Sequence, residues 1–318
     1  MLRALAIAAV AAIASPTHGA DLRLFTLGSG ELGGSYFAAA DAICDIFNAA
    51  HRGVMRCSPE ATPGSLYNIA SLRDQQLDFA LMQSDWQKAA FAGDAPFAAQ
   101  GPMENLRSVM SLYPETITVI ARPDAGVASI ADLQGKRVDI GPPASGRQAT
   151  VSRILAAMDL PTTYFAAVLT LASSASVDAL CEGQIDAAIL IVGHPNASIR
   201  AAMDRCDARL IPAAGPRLAA VMDGSQEYAA VVIPRATYPQ LEVDIPTYAA
   251  IATLVTRADI STDIVEALVG STLDSLPELA MRAPVLAGLN PEEMGIRGLT
   301  APLHPGAQAA FEAHAGKP

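Results

Sequence analysis

Basic residues are the first shortage. Lysine and arginine number 21 against 32 aspartates and glutamates, giving a formal net charge of −11 over 318 residues, and no stretch gathers the basic ones together. A chain with no basic patch lacks the electrostatic footprint of a nucleic-acid binder, which argues against DNA or RNA as a partner. Long apolar runs are missing after the first twenty residues, so no later segment is expected to span a bilayer. Catalytic signatures are missing as well. There is no G-x-S-x-G elbow, no H-E-x-x-H pair and no G-x-x-x-x-G-K-[ST] loop. Among the five histidines, His194 alone falls at the end of an apolar strand-like run, and no serine, cysteine or carboxylate beside it makes a nucleophile–base pair. An enzyme is therefore not expected.

Cysteine is sparse. Cys44, Cys57, Cys181 and Cys206 form no C-x-x-C, and the histidines are scattered, so neither a metal site nor a cofactor is expected. Four cysteines allow three pairings. Cys44–Cys57 with Cys181–Cys206 is the favoured set: each pair closes a short loop, joins a helix to the segment after it, and is worth about 3 kcal/mol in the loop-entropy model. The first twenty residues hold one positive charge, an apolar run too short for a span, and small residues ending at His18-Gly19-Ala20. This is the layout of a secretory signal peptide over residues 1–20.

What remains is an alternation of strand-like and helical runs, the pattern of an α/β fold with parallel strands. Strands are expected over 22–27, 53–60, 78–82, 106–113 and 116–122, with helices over 34–50 and from Gly64-Ser65 and Ser84-Asp85. A second series begins near Ile130, with a helix opened by Ser145-Gly146, an extended 165–169, a helix over 173–182 and a strand over 186–192. Pro195 is expected in the first turn of the next helix, where its missing N–H costs nothing. Extended segments follow at 230–234 and 248–256, and Ser261 caps a last helix reaching about Met281. The tail, with Pro284, Pro291, Pro302 and Pro305, reads as a meander. Segments 75–83 and 183–192 echo each other: a helix end, an aspartate, then a buried strand, as two similarly wound lobes would leave behind.

The stretch GSGELGGSYF, from Gly28 to Phe37, joins the first strand to the first helix. Unpaired backbone N–H groups and the positive end of a helix dipole meet there, a seat for an anion. Gly28, Gly30 and Gly33 also spell G-x-G-x-x-G, but the acid expected about twenty residues on, at the end of the second strand, falls late at Glu60. The same device recurs at Gly64-Ser65, Ser84-Asp85 and Ser145-Gly146. Each alone is an N-cap worth about 1 kcal/mol. As a set, at the carboxyl edges of parallel strands, they point to one shared cleft, with Tyr36, Trp86, Tyr113 and Tyr248 as candidate walls.

Five segments carry a family likeness: LGSGELGGSYF, TPGSLYNIASLRDQQLDFALMQSDWQKAAFAG, IADLQGKRVDIGPPASG, GQIDAAILIVGHPN and APLHPGAQAAF, in order from residue 27 to residue 311. Together they resemble the TAXI-type solute-binding proteins of tripartite ATP-independent periplasmic (TRAP) transporters. The resemblance implies a two-lobed periplasmic-binding-protein fold (type II-like), each lobe a mainly parallel sheet flanked by helices. It also implies a periplasmic location and hinge closure on a small carboxylate, a glutamate-like amino acid or a dicarboxylate, delivered to the membrane permease subunits. Lobe one would comprise 21–117 and 246–318, and lobe two 118–245. By position, the ligand contacts would fall on Gly33, Ser35 and Tyr36, on Ser65 and Asn68, on Gln83, Ser84 and Asp85, on Ser145, Gly146 and Arg147, and on His194. Arg147 stands where many relatives carry a small hydroxyl residue; it either grips a ligand carboxylate bidentately or points to solvent at the rim. Asp85 either accepts from a ligand ammonium or caps its own helix. The rival from another class is an exported oxidoreductase using the Gly28–Gly33 loop for a dinucleotide.

Overall fold

The computed structural model describes residues 22–222 and 227–316; the expected signal peptide, residues 1–20, lies outside them. The chain runs β1 (Arg23–Gly28), α1 (Ser35–Ala50), β2 (Met55–Glu60), α2 (Ser65–Arg73), β3 (Phe79–Gln83), α3 (Ser84–Ala92) and β4 (Leu106–Ala121). It continues through β5 (Arg137–Asp139), α4 (Gly146–Ala157), β6 (Ala167–Leu169), α5 (Ser173–Cys181), β7 (Ala187–Val192), α6 (Ala197–Cys206), β8 (Arg209–Ile211), α7 (Pro216–Met222) and β9 (Ala229–Ile233). The last part holds β10 (Ile245–Arg257), α8 (Thr262–Leu273), α9 (Leu276–Arg282), α10 (Pro291–Met294) and α11 (Pro305–Ala315). No helix among the described residues is long and apolar enough to cross a membrane.

One sheet links these strands in the order β2-β1-β3-β10-β4-β7-β5-β6, with β8 on β4 and β9 on β10. Its two ends are parallel, β2-β1-β3 and β7-β5-β6. The two long central strands are not: β10 is antiparallel to β3 and β4, and β4 to β7. Each end is thus mainly parallel, as expected of a lobe, and the antiparallel central strands join the two ends into one mixed sheet. The expected strands 106–113 and 116–122 are one strand, β4, running through Pro114. Proline survives there because the ladder is broken: between the Ile251–Pro114 and Thr253–Ser111 pairs, β4 carries one residue more than β10. Close by, Ile251 N donates to Ser84 Oγ at 3.1 Å.

Apolar spacing explains the packing. In α1, Tyr36, Ala40, Ile43 and Phe47 fall on one buried face, and Phe47 meets Phe25 of β1 edge-on at 5.0 Å. β3, FALMQ, is buried along its whole length, as suits an inner strand covered on both faces. Both favoured disulfides are present: Cys44–Cys57 ties α1 to β2, and Cys181–Cys206 ties the ends of α5 and α6. The echo of 75–83 and 183–192 has a structural counterpart. Asp78 accepts from Thr26 N at 2.9 Å, and Asp186 accepts from Arg137 N at 2.8 Å. Each aspartate thus anchors the backbone of the parallel strand beside its own, β1 for β3 and β5 for β7.

Prolines mark the departures from expectation. Pro195 lies just before the next helix rather than in its first turn; Asn196 caps α6, its side chain accepting from Ile199 N at 3.1 Å. The long helix expected to reach Met281 breaks at Asp274-Ser275 into α8 and α9, with Pro277 in the first turn of α9. The tail is not all meander. Pro305 opens α11 behind the His304 cap, and Gly306 lets α11 lie against α8, since a Cβ there would stand 2.3 Å from the carbonyl of Thr262.

Candidate functional site

The first turns of α1, α2 and α4 meet at a cavity of about 70 Å³. Ser35 and Tyr36 come from α1, Ser65 from α2, Gln83 from the end of β3, and Ser145, Gly146 and Arg147 from the start of α4. Glu31 from the glycine loop, Glu115 from β4 and Ser173 from α5 complete the wall. Residues from both ends of the sheet thus face one small space. Only glycine fits at the start of α4: a Cβ on Gly146 would fall 2.3 Å from Gln83 Oε1 and 2.6 Å from Ser65 Oγ.

The hydroxyls at these helix starts have different duties. Ser145 is a true N-cap, its Oγ accepting from Gln148 N at 3.0 Å. Ser35, Ser65 and Ser84 sit one position further in, behind Gly34, Gly64 and Gln83, and none of those three helices has a side-chain cap. Ser35 Oγ donates to Gly193 O at 3.3 Å and accepts from Asn196 Nδ2 at 3.1 Å, while Ser65 Oγ accepts from Gln83 N at 3.2 Å. The N-terminus of α5 receives its anion from inside the protein: Ser173 N donates to Glu31 Oε2 at 2.8 Å. The other oxygen of Glu31 is buried with no partner.

Arg147 is committed elsewhere than to a ligand. It is buried beside Asp139, with Nη2 donating to Asp139 Oδ2 at 2.5 Å and to Asp139 O at 3.2 Å, and Nε donating to Ile189 O at 2.6 Å. Nη1 approaches Leu171 O at 3.4 Å and Ser176 Oγ at 3.5 Å. All five N–H positions of a guanidinium are thereby spoken for, so the bidentate grip and the solvent-facing rim position are both replaced by an internal ion pair.

Glu115 is the titratable group of the cavity that sequence reasoning missed. It is 4% exposed, receives the hydroxyl of Tyr36, and is pushed up to about 8, first by burial and then by the charge of Asp85. Tyr113, two residues away on the same strand, has a buried hydroxyl with no partner, and burial raises it well above the ordinary tyrosine range. A single carboxylate inside the apolar run 106–121 was the available signal. Glu31 offered only an acid inside a glycine loop.

Asp85, Trp86 and Gln83 bridge the two ends of the sheet beside the cavity. Tyr228 donates to Asp85 at 2.6 Å, Arg153 reaches Asp85 at 2.5 Å, and the guanidinium lies 4.5 Å from the centre of the Trp86 ring. Burial raises Asp85 and the charge of Arg153 opposes that rise. Thr150 on α4 accepts from both Gln83 Nε2 and Trp86 Nε1 at 3.0 Å. The remaining expected residues lie off the cavity wall. Asn68 braces the backbone by donating to Ser29 O and Leu81 O. Gly33 lines a separate groove of about 300 Å³ with Pro195 and Arg200. His194 borders another groove, its ring between Tyr238, Thr116 and Thr118, and burial lowers it to about 4.

A mixed α/β sheet with parallel ends, antiparallel central strands and helix starts converging between the ends defines the periplasmic-binding-protein fold. Solved structures of that architecture cover nearly all of the chain. MatC from Rhodopseudomonas palustris with bound malate matches at 14% identity and a TM-score of 0.58, over 92% of this chain and 97% of its own. A protein from Bordetella bronchiseptica matches at 14% identity and a TM-score of 0.58, over 92% and 98%. Residues 27–313 match the model of the NMT1-like family, and the chain belongs to it.

Proposed function

We propose that this protein is the solute-binding subunit of a TRAP-type transporter, working in the periplasm and handing a small carboxylate to membrane permease subunits. One observation carries the reading: three helix N-termini, α1, α2 and α4, drawn from both ends of the sheet, line one shared cleft. Convergent backbone N–H groups with aligned dipoles are suited to a carboxylate. Lobe one would be 21–117 with 246–318 and lobe two 118–245, with β4 and β10 as the connections that bend on opening. Ligand would favour the closed arrangement by the contacts it gains only there. The fold shared with MatC, whose solved structure holds malate, supports capture of a small organic anion. The test is to unfold, wash and refold the protein, then follow Trp86 fluorescence and melting temperature against glutamate, glutamine, 2-oxoglutarate, succinate and unrelated sugars. A saturable response to carboxylates alone is expected. Silence across the carboxylates, or a response to a sugar, would sink the proposal.

A further inference from the structure

Beside the cavity, the two ends of the sheet grip each other through side chains that do not line it. α3 follows β3 at one end, and α4 packs on β7 at the other. Asp85, in the first turn of α3, is buried. Arg153 of α4 donates from Nη2 to Asp85 Oδ2 and to the Tyr228 hydroxyl, both at 2.5 Å, and that hydroxyl donates in turn to the same Oδ2 at 2.6 Å. The guanidinium carbon stands 4.5 Å from the centre of the Trp86 ring and 5.5 Å from that of Tyr228, so two aromatic rings share one cation. Tyr228 itself packs on the apolar cluster around β5 and β7. Three positions beyond Asp85 on α3, Lys88 pairs with Glu227, the sequence neighbour of Tyr228. Asp85, Trp86 and Lys88 thus meet Arg153, Glu227 and Tyr228, and none of the six is among the residues lining the cavity.

We propose that these six residues form a latch that draws the two ends of the sheet together by direct contact, so that the closed form is populated ahead of the solute and entry waits on the latch. This rests on the hinge motion of the solute-capture reading above and adds what holds the hinge shut. Every bond in the latch runs from protein to protein, so its stabilisation belongs to the closed form whether or not solute is bound. Asp85 fixes the direction of the effect. With Arg153 in place the buried carboxylate has a counterion; without it, a buried charge loses its partner, and the arrangement that returns the carboxylate to water is favoured. Lys88 and Glu227 are more exposed, so their pair adds less. Apparent affinity scales with the fraction of protein in the binding-competent form. The latch therefore sets affinity and retention without touching the solute.

Trp86 is the chain's single tryptophan, and its Nε1 donates to Thr150 Oγ1 of α4, so acrylamide quenching of its fluorescence reads this junction directly. The protein is unfolded, washed and refolded, and quenching is measured before and after saturation with glutamate, 2-oxoglutarate or succinate. In stripped wild type, quenching should be low and should change by less than about twofold on loading, since most of the population is already closed. Arg153→Met keeps the aliphatic stem; in its stripped form quenching should rise by at least about tenfold, the factor that loss of a charged hydrogen bond allows. Loading should bring that variant back towards the wild-type value. Lys88→Glu sets two acids against each other without altering a partner of the indole, and should raise quenching about two- to fivefold. Adding Glu227→Lys should reverse that rise, a rescue that a folding defect would not show, with circular dichroism confirming native secondary structure throughout. Stripped wild type quenched as readily as stripped Arg153→Met, or Lys88→Glu without effect, would overturn the latch and leave solute capture to stand on the loading response. No protection of Arg153→Met by any of the three carboxylates would bring down the solute-capture reading, while the stripped proteins would still judge the latch.

Discussion

Arg147 is the residue whose role changes most between sequence and structure. Its position at a helix start made it a candidate for gripping a ligand carboxylate, and nothing local pointed to Asp139, eight positions earlier at the end of a buried strand. The two are buried together, and Asp139 also accepts from Leu171 N at 2.8 Å and from the hydroxyl of Ser176. Removing one member of such a pair strands the other charge. Asp139→Ala should therefore lower unfolding free energy by about 3–5 kcal/mol, read from the urea midpoint. Glu115 and His194 make opposed pH signatures. Burial holds His194 at about 4 against 6.5 when free, so the unfolded chain binds the extra proton between those values. That part of the stability is complete above pH 6.5 and is lost as pH falls towards 4, on the order of 3 kcal/mol in all. Glu115, raised from 4.5 to about 8, keeps its extra proton in the folded protein, so its part is lost as pH rises through that window. Melting temperatures measured in pH steps should lose the acid-side slope in His194→Asn and the alkaline-side slope in Glu115→Gln.

Elements were legible wherever the cue was local. A hydroxyl or glycine before an apolar period marked the helix starts, and an aspartate before an apolar run marked β3 and β7, because Asp78 and Asp186 each fix a neighbouring strand's backbone. Proline misled in both directions. Pro114 read as a gap although a bulge lets β4 run through it, and Pro305 read as part of a meander although it opens α11. Whether a proline ends an element depends on partners far away in sequence, such as Ile251 for Pro114. The disulfides were legible as short loops, and their stabilisation should scale with loop length. Replacing Cys44 and Cys57 by alanine should cost about 3 kcal/mol in denaturant titrations, and replacing Cys181 and Cys206 about half a kcal/mol more, since their separations are 13 and 25 residues.

At the scale of the molecule, the contacts across the cavity decide how the two ends of the sheet hold together, and these were the least legible of all. Thr150, an unremarked residue inside a helix, accepts from both Gln83 and Trp86 across that junction. Thr150→Val keeps the shape and removes the acceptor, stranding two buried donors. At about 1–2 kcal/mol per lost bond, or about 2–4 kcal/mol for the two, the change should weaken ligand affinity by about thirtyfold or more and shift Trp86 emission, whereas secondary structure by circular dichroism should stay unchanged.

The contact between Glu31 and the start of α5 has a consequence for selectivity against common ions. An acid fixed 2.8 Å from Ser173 N by its own short loop acts there at a high effective concentration, of the millimolar order that short tethers give. Chloride, sulfate or phosphate in the surroundings must compete with that resident acid for the same N–H groups. The helix end is kept occupied from within, and the abundant anions of the medium are held off from it.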